Sequence, residues 1–252
     1  LSDSYHLRDL SLEAAGTLRA LAIQFSGKAQ SGAQQLGLAG RSHLSQMGAG
    51  QWQARLEALD FTAADAQQAK PWALQLQQPV ALDWLQGALN RSLSVAAGSM
   101  RLSGPVPGTA QLQWQAAQWS QAMANGAATG AARWSSRGQL QGVPLAWLEL
   151  LGQTQIANLG LRGDLLFGGQ WDASTDGSSK GLQVQAKLQR SSGDLQLLSA
   201  DAKGGVLQAG LRDAHVDLQV NRDAVHASLV WASDAGGNAQ ADFTTRLRVV
   251  EG

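Results

Sequence analysis

Apolar and polar residues alternate along most of the chain. Trp72-Ala73-Leu74-Gln75-Leu76-Gln77 shows the pattern, as do Leu182-Gln183-Val184-Gln185-Ala186-Lys187-Leu188 and Val216-Asp217-Leu218-Gln219-Val220. A period of two puts every second side chain on one face of a β-sheet, so these segments predict strands with one apolar and one polar face. The pattern predicts strands at Gly16–Phe25, Gln35–Leu44, Gln51–Leu59, Trp72–Trp84, Leu93–Leu102, Ala110–Trp119 and Arg133–Leu140. It predicts more at Leu161–Trp171, Gly181–Arg190, Asp194–Asp201, Val206–Arg212, Ala214–Val220, Ala224–Ala232 and Gln240–Val249. Pro79 has no N–H to give a ladder, so Trp72–Trp84 should be an edge, bulged or broken there.

Short connections separate these segments, among them Ser191-Ser192-Gly193, Asn221-Arg222-Asp223 and Asp234-Ala235-Gly236-Gly237-Asn238. Loops of about 2–5 residues join antiparallel neighbours, whereas parallel pairing needs long crossovers. The predicted fold class is therefore all-β, a long and mostly antiparallel sheet. One helix interrupts it, at Pro144–Leu151, with Pro at its start and Gly152 past its end. This helix is apolar on nearly every side, so it should be buried, seated in a groove or pressed onto another surface. Residues 123–132 are mostly Gly, Ala, Asn and Thr and read as a linker between a first segment, 1–122, and a second, 133–252. A loose repeat runs through both: Gly138-Gln139-Leu140, Gly163-Asp164-Leu165 and Gly193-Asp194-Leu195 open strands in one style. It suggests a fold that grows by adding similar strands.

Composition narrows the function more than it identifies it. The 252 residues carry 19 basic and 19 acidic side chains, a formal net charge of zero. No basic patch or stripe marks a nucleic-acid partner. There is no cysteine, which excludes disulfides, thiolate catalysis and cysteine-ligated metals. No run of about 18 apolar residues would span a bilayer as a helix. The first residue is Leu and no signal peptide is visible, so the chain reads as a segment of something longer.

Catalytic signatures are missing: there is no nucleophile elbow, P-loop, zinc-protease helix or dinucleotide loop. His6, His43, His215 and His226 are scattered. Asp213, His215 and Asp217 share one strand face, but a polar outer face accounts for them without a metal. Nothing calls for a cofactor, and the chain does not read as an enzyme. Trp52, Trp72, Trp84, Trp114 and Trp171 fall on the apolar parity of their strands, as core filling or as the wall of a groove.

Strands of about 10–13 residues are about 33–43 Å long. Many long strands with one apolar face cannot lie flat in water. They close into a barrel, pair as a sandwich or curl so that the apolar face lines a trough. An outer-membrane barrel would carry girdles of Tyr and Phe, and this chain has one Tyr and four Phe.

Three runs, Gly138-Gln139-Leu140-Gln141-Gly142-Val143-Pro144-Leu145-Ala146-Trp147-Leu148, Leu161–Asp172 and Gln189–Leu195, resemble the TamB/AsmA-like family. Gly50–Leu56 and Pro71–Leu74 are similar to the repeats that precede that region. The resemblance implies a periplasmic β-taco, a curled sheet with an apolar groove, anchored to the inner membrane by a segment not present here. It also implies passage of phospholipid between inner and outer membrane, and a link to outer-membrane protein assembly beside a TamA-like barrel. Its apolar wall would be Trp72, Leu74, Leu76, Leu112, Trp114, Leu165, Phe167, Trp171, Leu182, Val184, Leu218, Leu229 and Trp231, touching phospholipid acyl chains. The helix, through Leu145, Trp147, Leu148 and Leu151, would plug, cap or gate the groove. Two other readings stand beside it: a scaffold that pairs client strands at its sheet edges, and a closed β-sandwich of a secretion system.

Overall fold

The computed structural model describes residues 6–65, 70–147, 162–178, 181–198 and 206–247. The chain is all-β and mostly antiparallel, as its alternation predicts. It divides into two compact units, one of residues 1–137 with 175–178, the other of 138–174 with 179–252.

The first unit begins as a meander of four long strands: β1 (His6–Thr17), β2 (Ala20–Ser31), β3 (Gln34–Gly48) and β4 (Gln51–Asp65). Two-residue turns join them, as the pairs Thr17↔Ala20, Ser31↔Gln34 and Gly48↔Gln51 show. After β4 the strands stay as long but each is interrupted. β5 (Trp72–Leu76) and β6 (Val80–Gln86) lie end to end along β4, β5 opposite Asp60–Ala63 and β6 opposite Gln51–Leu56. β7 (Asn90–Val95) and β8 (Gly98–Ser103) form the next broken strand, pairing with β6 and β5. β9 (Thr109–Trp114) and β10 (Ala117–Ala124) form the third, pairing with β8 and β7.

The interruptions line up across the sheet. Glu57 is the extra residue where the β3–β4 register shifts, next to it come Gln77–Pro79, then Ala96–Ala97, then Gln115–Ala116. The result is a crease that crosses four strands. Backbone groups at the crease stay satisfied: Gln77 N–H donates to Ser99 O, Ala96 N–H to Ala81 O, and Gln115 N–H to Arg137 O. Trp114 seals it from one side, its Nε1–H donating to Ala96 O at 2.9 Å and its ring lying over Gly98. Only glycine fits there, because a Cβ would meet the indole and Val80. Pro79 thus sits in a break, as a strand proline must.

Of residues 123–132, the part 123–128 is the tip of a hairpin, and 129–132 run on without strand structure to Arg133. β10 ends at Ala124, β11 (Ala127–Ala128) pairs back onto it, and Met123 is buried. Asn125 and Gly126 have φ of 51° and 79°, the left-handed pair of a tight hairpin turn. The boundary between the units falls later, inside β12 (Arg133–Pro144).

The second unit repeats the creased plan. β13 (Arg162–Gly163) and β14 (Leu166–Thr175) form one broken strand, β15 (Gln183–Ser192) and β16 (Leu195–Leu198) the next, β17 (Val206–Gln208) and β18 (Leu211–Asn221) the third. The longer pieces β14, β15 and β18 pair in one sheet, continued by β19 (Ala224–Ser233) and β20 (Asn238–Arg246). The shorter pieces pair in a second sheet, β13–β16–β17. Ser191-Ser192-Gly193, which the sequence suggests is a hairpin loop, is therefore a corner: the chain runs on from one sheet into the other instead of turning back.

Two copies of the Gly-Asp-Leu motif, at Gly163 and Gly193, and the Gly210-Leu211 pair build this corner. Gly163, Gly193 and Gly210 all have positive φ, and the following leucines point inward: Leu165 and Leu195 are each 1% exposed and Leu211 is 4%. They pack with Leu145, Ala209 and Ala214, and Phe167 and Trp231 lean against them. Asp194 ties the corner from the backbone, its carboxylate accepting from the N–H groups of Leu195 (2.8 Å), Gly210 (2.8 Å) and Leu211 (2.9 Å). Its own N–H donates to Asp164 Oδ1 at 2.8 Å. The Leu211 N–H above all holds the Asp194 carboxyl below the usual carboxylate range; desolvation, next in size, pushes the other way and is offset by the N–H groups of Gly210 and Leu195 and the charge of Arg190.

The expected helix begins one residue later than the sequence suggests. Pro144 closes β12, and the helical residues described are Leu145–Trp147. The remainder of the expected helix, including Leu148 and Leu151, lies outside the described residues.

Candidate functional site

Cross-strand partners share a sheet face, so the registers show what the alternation assembles. In the first unit one row reads Leu21–Leu44–Ala54–Leu82–Val95–Ala117 across six strands. The next row toward the strand ends reads Trp52–Trp84–Leu93–Trp119–Trp134. Beyond the crease the same face continues as Leu38–Phe61–Leu74–Leu102–Ala110 and Leu76–Met100–Leu112. The opposite face is polar: Gln53 donates to Asp83 Oδ1 at 3.0 Å, and Ser94 Oγ to Asp83 Oδ2 at 3.4 Å.

The crease is what keeps the apolar face on one side. Ala110, Leu112 and Trp114 are even-numbered, yet Ala117 and Trp119 are odd. The break at Gln115–Ala116 changes parity and returns the apolar residues to the same face. Ala96–Ala97 does the same between Val95 and Met100, and the Glu57 bulge between Leu56 and Leu59.

This face is not sealed. Trp52, Trp84, Leu93, Trp119 and Leu82 are half-buried, while Leu38 is 44% and Phe61 36% exposed. Burial is concentrated near the crease, at Val80 and Gly98, and at Ala110. The indoles of Trp84 and Trp119 stack at a centroid distance of 6.0 Å with 13° between their planes. A recess of about 540 Å³ opens beside them, lined in part by Met47, Trp52, Trp84, Leu93 and Trp119.

The second unit has a matching face. One row reads Trp171–Ala186–Leu218–Ala227–Phe243, another Gly169–Leu188–Val216–Leu229–Ala241, a third Ala173–Val184–Val220–Val225. Val216, Leu229 and Phe243 are 37%, 41% and 60% exposed. The other face carries Gln185, Gln219 and His226 in one row and Gln170, Lys187, Asp217 and Asp242 in another.

The residues expected to form a wall fall into three groups, with Leu182 apart from them. Trp72, Leu74, Leu76, Leu112 and Trp114 share the apolar face of the first unit, where they are half-buried. Trp171, Val184, Leu218 and Leu229 share that of the second. Leu165 belongs instead to the closed corner cluster, with Phe167 and Trp231 against it, so Leu165 has no surface to offer a ligand. Leu182 lies just outside β15, half-buried, its carbonyl accepting the Arg222 N–H. Of the expected plug, Leu145 joins the corner cluster and Trp147 is 1% exposed. Trp52 and Trp84, which the parity offers as core or groove wall, are joined in the aromatic row by Trp119 and Trp134, which the sequence reading does not single out. The row's signal was the tryptophan count itself, hidden by the parity change between Trp114 and Trp119.

The polar groups offer less. His215 stands between two carboxylates, Nδ1 at 2.9 Å from Asp213 Oδ1 and Nε2 at 3.5 Å from Asp217 Oδ2. Among the described residues no group of three or more His, Cys, Asp or Glu side chains is arranged to hold a metal ion. No helix among them is long and apolar enough to cross a membrane.

Comparison with family models, with curated proteins and with solved structures gives no match. The candidate site is two wide, half-buried apolar sheet faces with polar residues on the reverse, the first crossed by a crease and the second bounded by a corner.

Proposed function

We propose that this chain is a segment of a lipid conduit, in which acyl chains lie along the apolar faces and no covalent step occurs. The observation that carries the reading is the row Leu21–Leu44–Ala54–Leu82–Val95–Ala117, apolar across six strands and left half-exposed. An ordinary core would cover such a row, and exposed apolar patches of this extent mark interaction surfaces. A face of this kind is non-directional and suits a ligand that slides. On the resemblance drawn from the sequence, the conduit works in the periplasm, curls as a β-groove and carries phospholipid between the two membranes. Parts outside this chain would anchor it and meet a TamA-like barrel.

The test uses gently extracted full chain. Native mass spectrometry should find co-purifying phospholipid, and phosphatidylcholine with brominated acyl chains should quench the tryptophans. Val184→Asp should weaken both, whereas Gln185→Asp on the reverse face should not. Absence of lipid together with unquenched tryptophans would overturn the reading.

A second reading, a scaffold that adds client strands at a sheet edge, is supported by β20. Among the described residues it pairs with β19 alone, and all nine of its residues are exposed. Photo-crosslinkers at Phe243 and at Leu82 separate the two: client polypeptide at the edge, or lipid on the face.

A further inference from the structure

The apolar face of the first unit is graded along its strands. Nearest the crease lie Leu56 and Val80, then the aliphatic row of Ala54, Leu82, Val95 and Ala117, then the tryptophan row. One step further, on the same face, the partners are Gln86, Arg91 and Gln121. Aliphatic, aromatic and polar rows in that order, the last with a single cation at its centre, match an amphiphile from tail to headgroup, because indoles favour the boundary where one side is apolar and the other wet.

Arg91 supplies a second, independent observation. Its Nε is shielded from solvent and, among the described residues, has no hydrogen-bond partner. A donor buried in that way costs free energy unless something accepts from it. Arg91 also lines a recess of about 330 Å³ with Gln86, Leu89 and Met123, next along the strand from the tryptophan-lined one. The guanidinium presents donors in a planar fork, which suits phosphate oxygens.

We infer that Arg91 and the Trp52–Trp84–Trp119 row form a headgroup subsite for a diacyl phospholipid, the phosphodiester on Arg91 and the tails over Leu82, Val95 and Ala117. The inference rests on the lipid-conduit reading and adds a fixed headgroup position to it. Two tails, rather than one, fit the width: Leu82, Val95 and Ala117 lie on three neighbouring strands, about 10 Å across at roughly 4.8 Å per step.

The test titrates the full chain, by tryptophan fluorescence, with dihexanoyl phosphatidylglycerol, uncharged dihexanoylglycerol and decanoate. The wild type should bind the phospholipid most tightly. Arg91→Gln should weaken that binding roughly tenfold or more and leave dihexanoylglycerol unchanged, and Arg91→Lys should fall between. Unchanged dihexanoylglycerol binding also shows that the variant is folded. If Arg91→Gln binds the phospholipid as the wild type does, the headgroup subsite is overturned while the apolar face stands. Should decanoate bind as tightly as the phospholipid and lose the same factor in Arg91→Gln, the diacyl assignment is overturned. If the wild type responds to none of the three, the conduit reading fails with it.

Discussion

Trp84 and Trp119 stack at 6.0 Å although a whole strand, β7, lies between their backbones. Leu93, the residue between them in register, is too narrow to hold the rings apart, so the two indoles meet over it. Trp119→Ala should destabilise the chain by about 1.5–3 kcal/mol, part from lost area and part from the ring pair itself. Urea unfolding gives the value. The far-UV circular dichroism couplet of the indole pair should vanish in Trp84→Phe and Trp119→Phe alike, and a couplet that survives either change rules the stack out.

Gly98 tests the crease. Its missing side chain makes room for the Trp114 ring, and a Cβ would also stand 2.7 Å from Val80 Cγ2. Gly98→Ala should cost about 1–3 kcal/mol, the range for overpacking. A thermal midpoint equal to the wild type would show that the crease relaxes without strain.

Stability and ligand contact should separate along the second unit. Leu165→Ala empties a site 1% exposed and should cost about 2–5 kcal/mol. Leu218→Ala, on the half-buried face, should cost about 1 kcal/mol or less. Denaturation followed at Trp171 and Trp231 checks both, and equal costs would contradict the contrast between closed corner and open face.

Asp194 sets a pH dependence whose sign follows from its hydrogen bonds. Its folded pKa lies below the unfolded value of about 3.9, so the carboxylate's contribution is complete above that value. It is lost as pH falls through the depressed folded pKa. Asp194→Asn keeps one acceptor oxygen of two and should lower the thermal midpoint near pH 7 and flatten its fall below pH 4. Amide exchange at Gly210 and Leu211 should quicken in the variant. An unchanged acid limb would assign that limb to other carboxylates.

Much of this architecture is legible in the sequence because alternation is a local signal. Leu182–Leu188 and Val216–Val220 announce their strands and their faces, and Asn221-Arg222-Asp223 its hairpin, with Arg222 at φ 62°. Creases are not local. Leu93–Leu102 and Ala110–Trp119 each read as one strand, and only the neighbouring register shows that each is two. Gly193 looks like a loop glycine until Asp194 is seen to bind the backbone of Gly210 and Leu211, many residues on. Leu165 and Leu218 have the same apolar parity signal, and nothing local says that one sits at a closed corner.

The row that starts at Trp171 runs out into water at Phe243. β20 carries no proline, lysine or bulge to blunt it, the devices that keep a sheet margin from templating another. In isolation the chain therefore has a built-in colloidal weakness. β1 is a second margin, paired among the described residues with β2 alone and exposed throughout, but a register shift between Arg8 and Ser11 interrupts it; β20 is the unbroken one, and a lysine at Phe243 should raise the solubility of the chain.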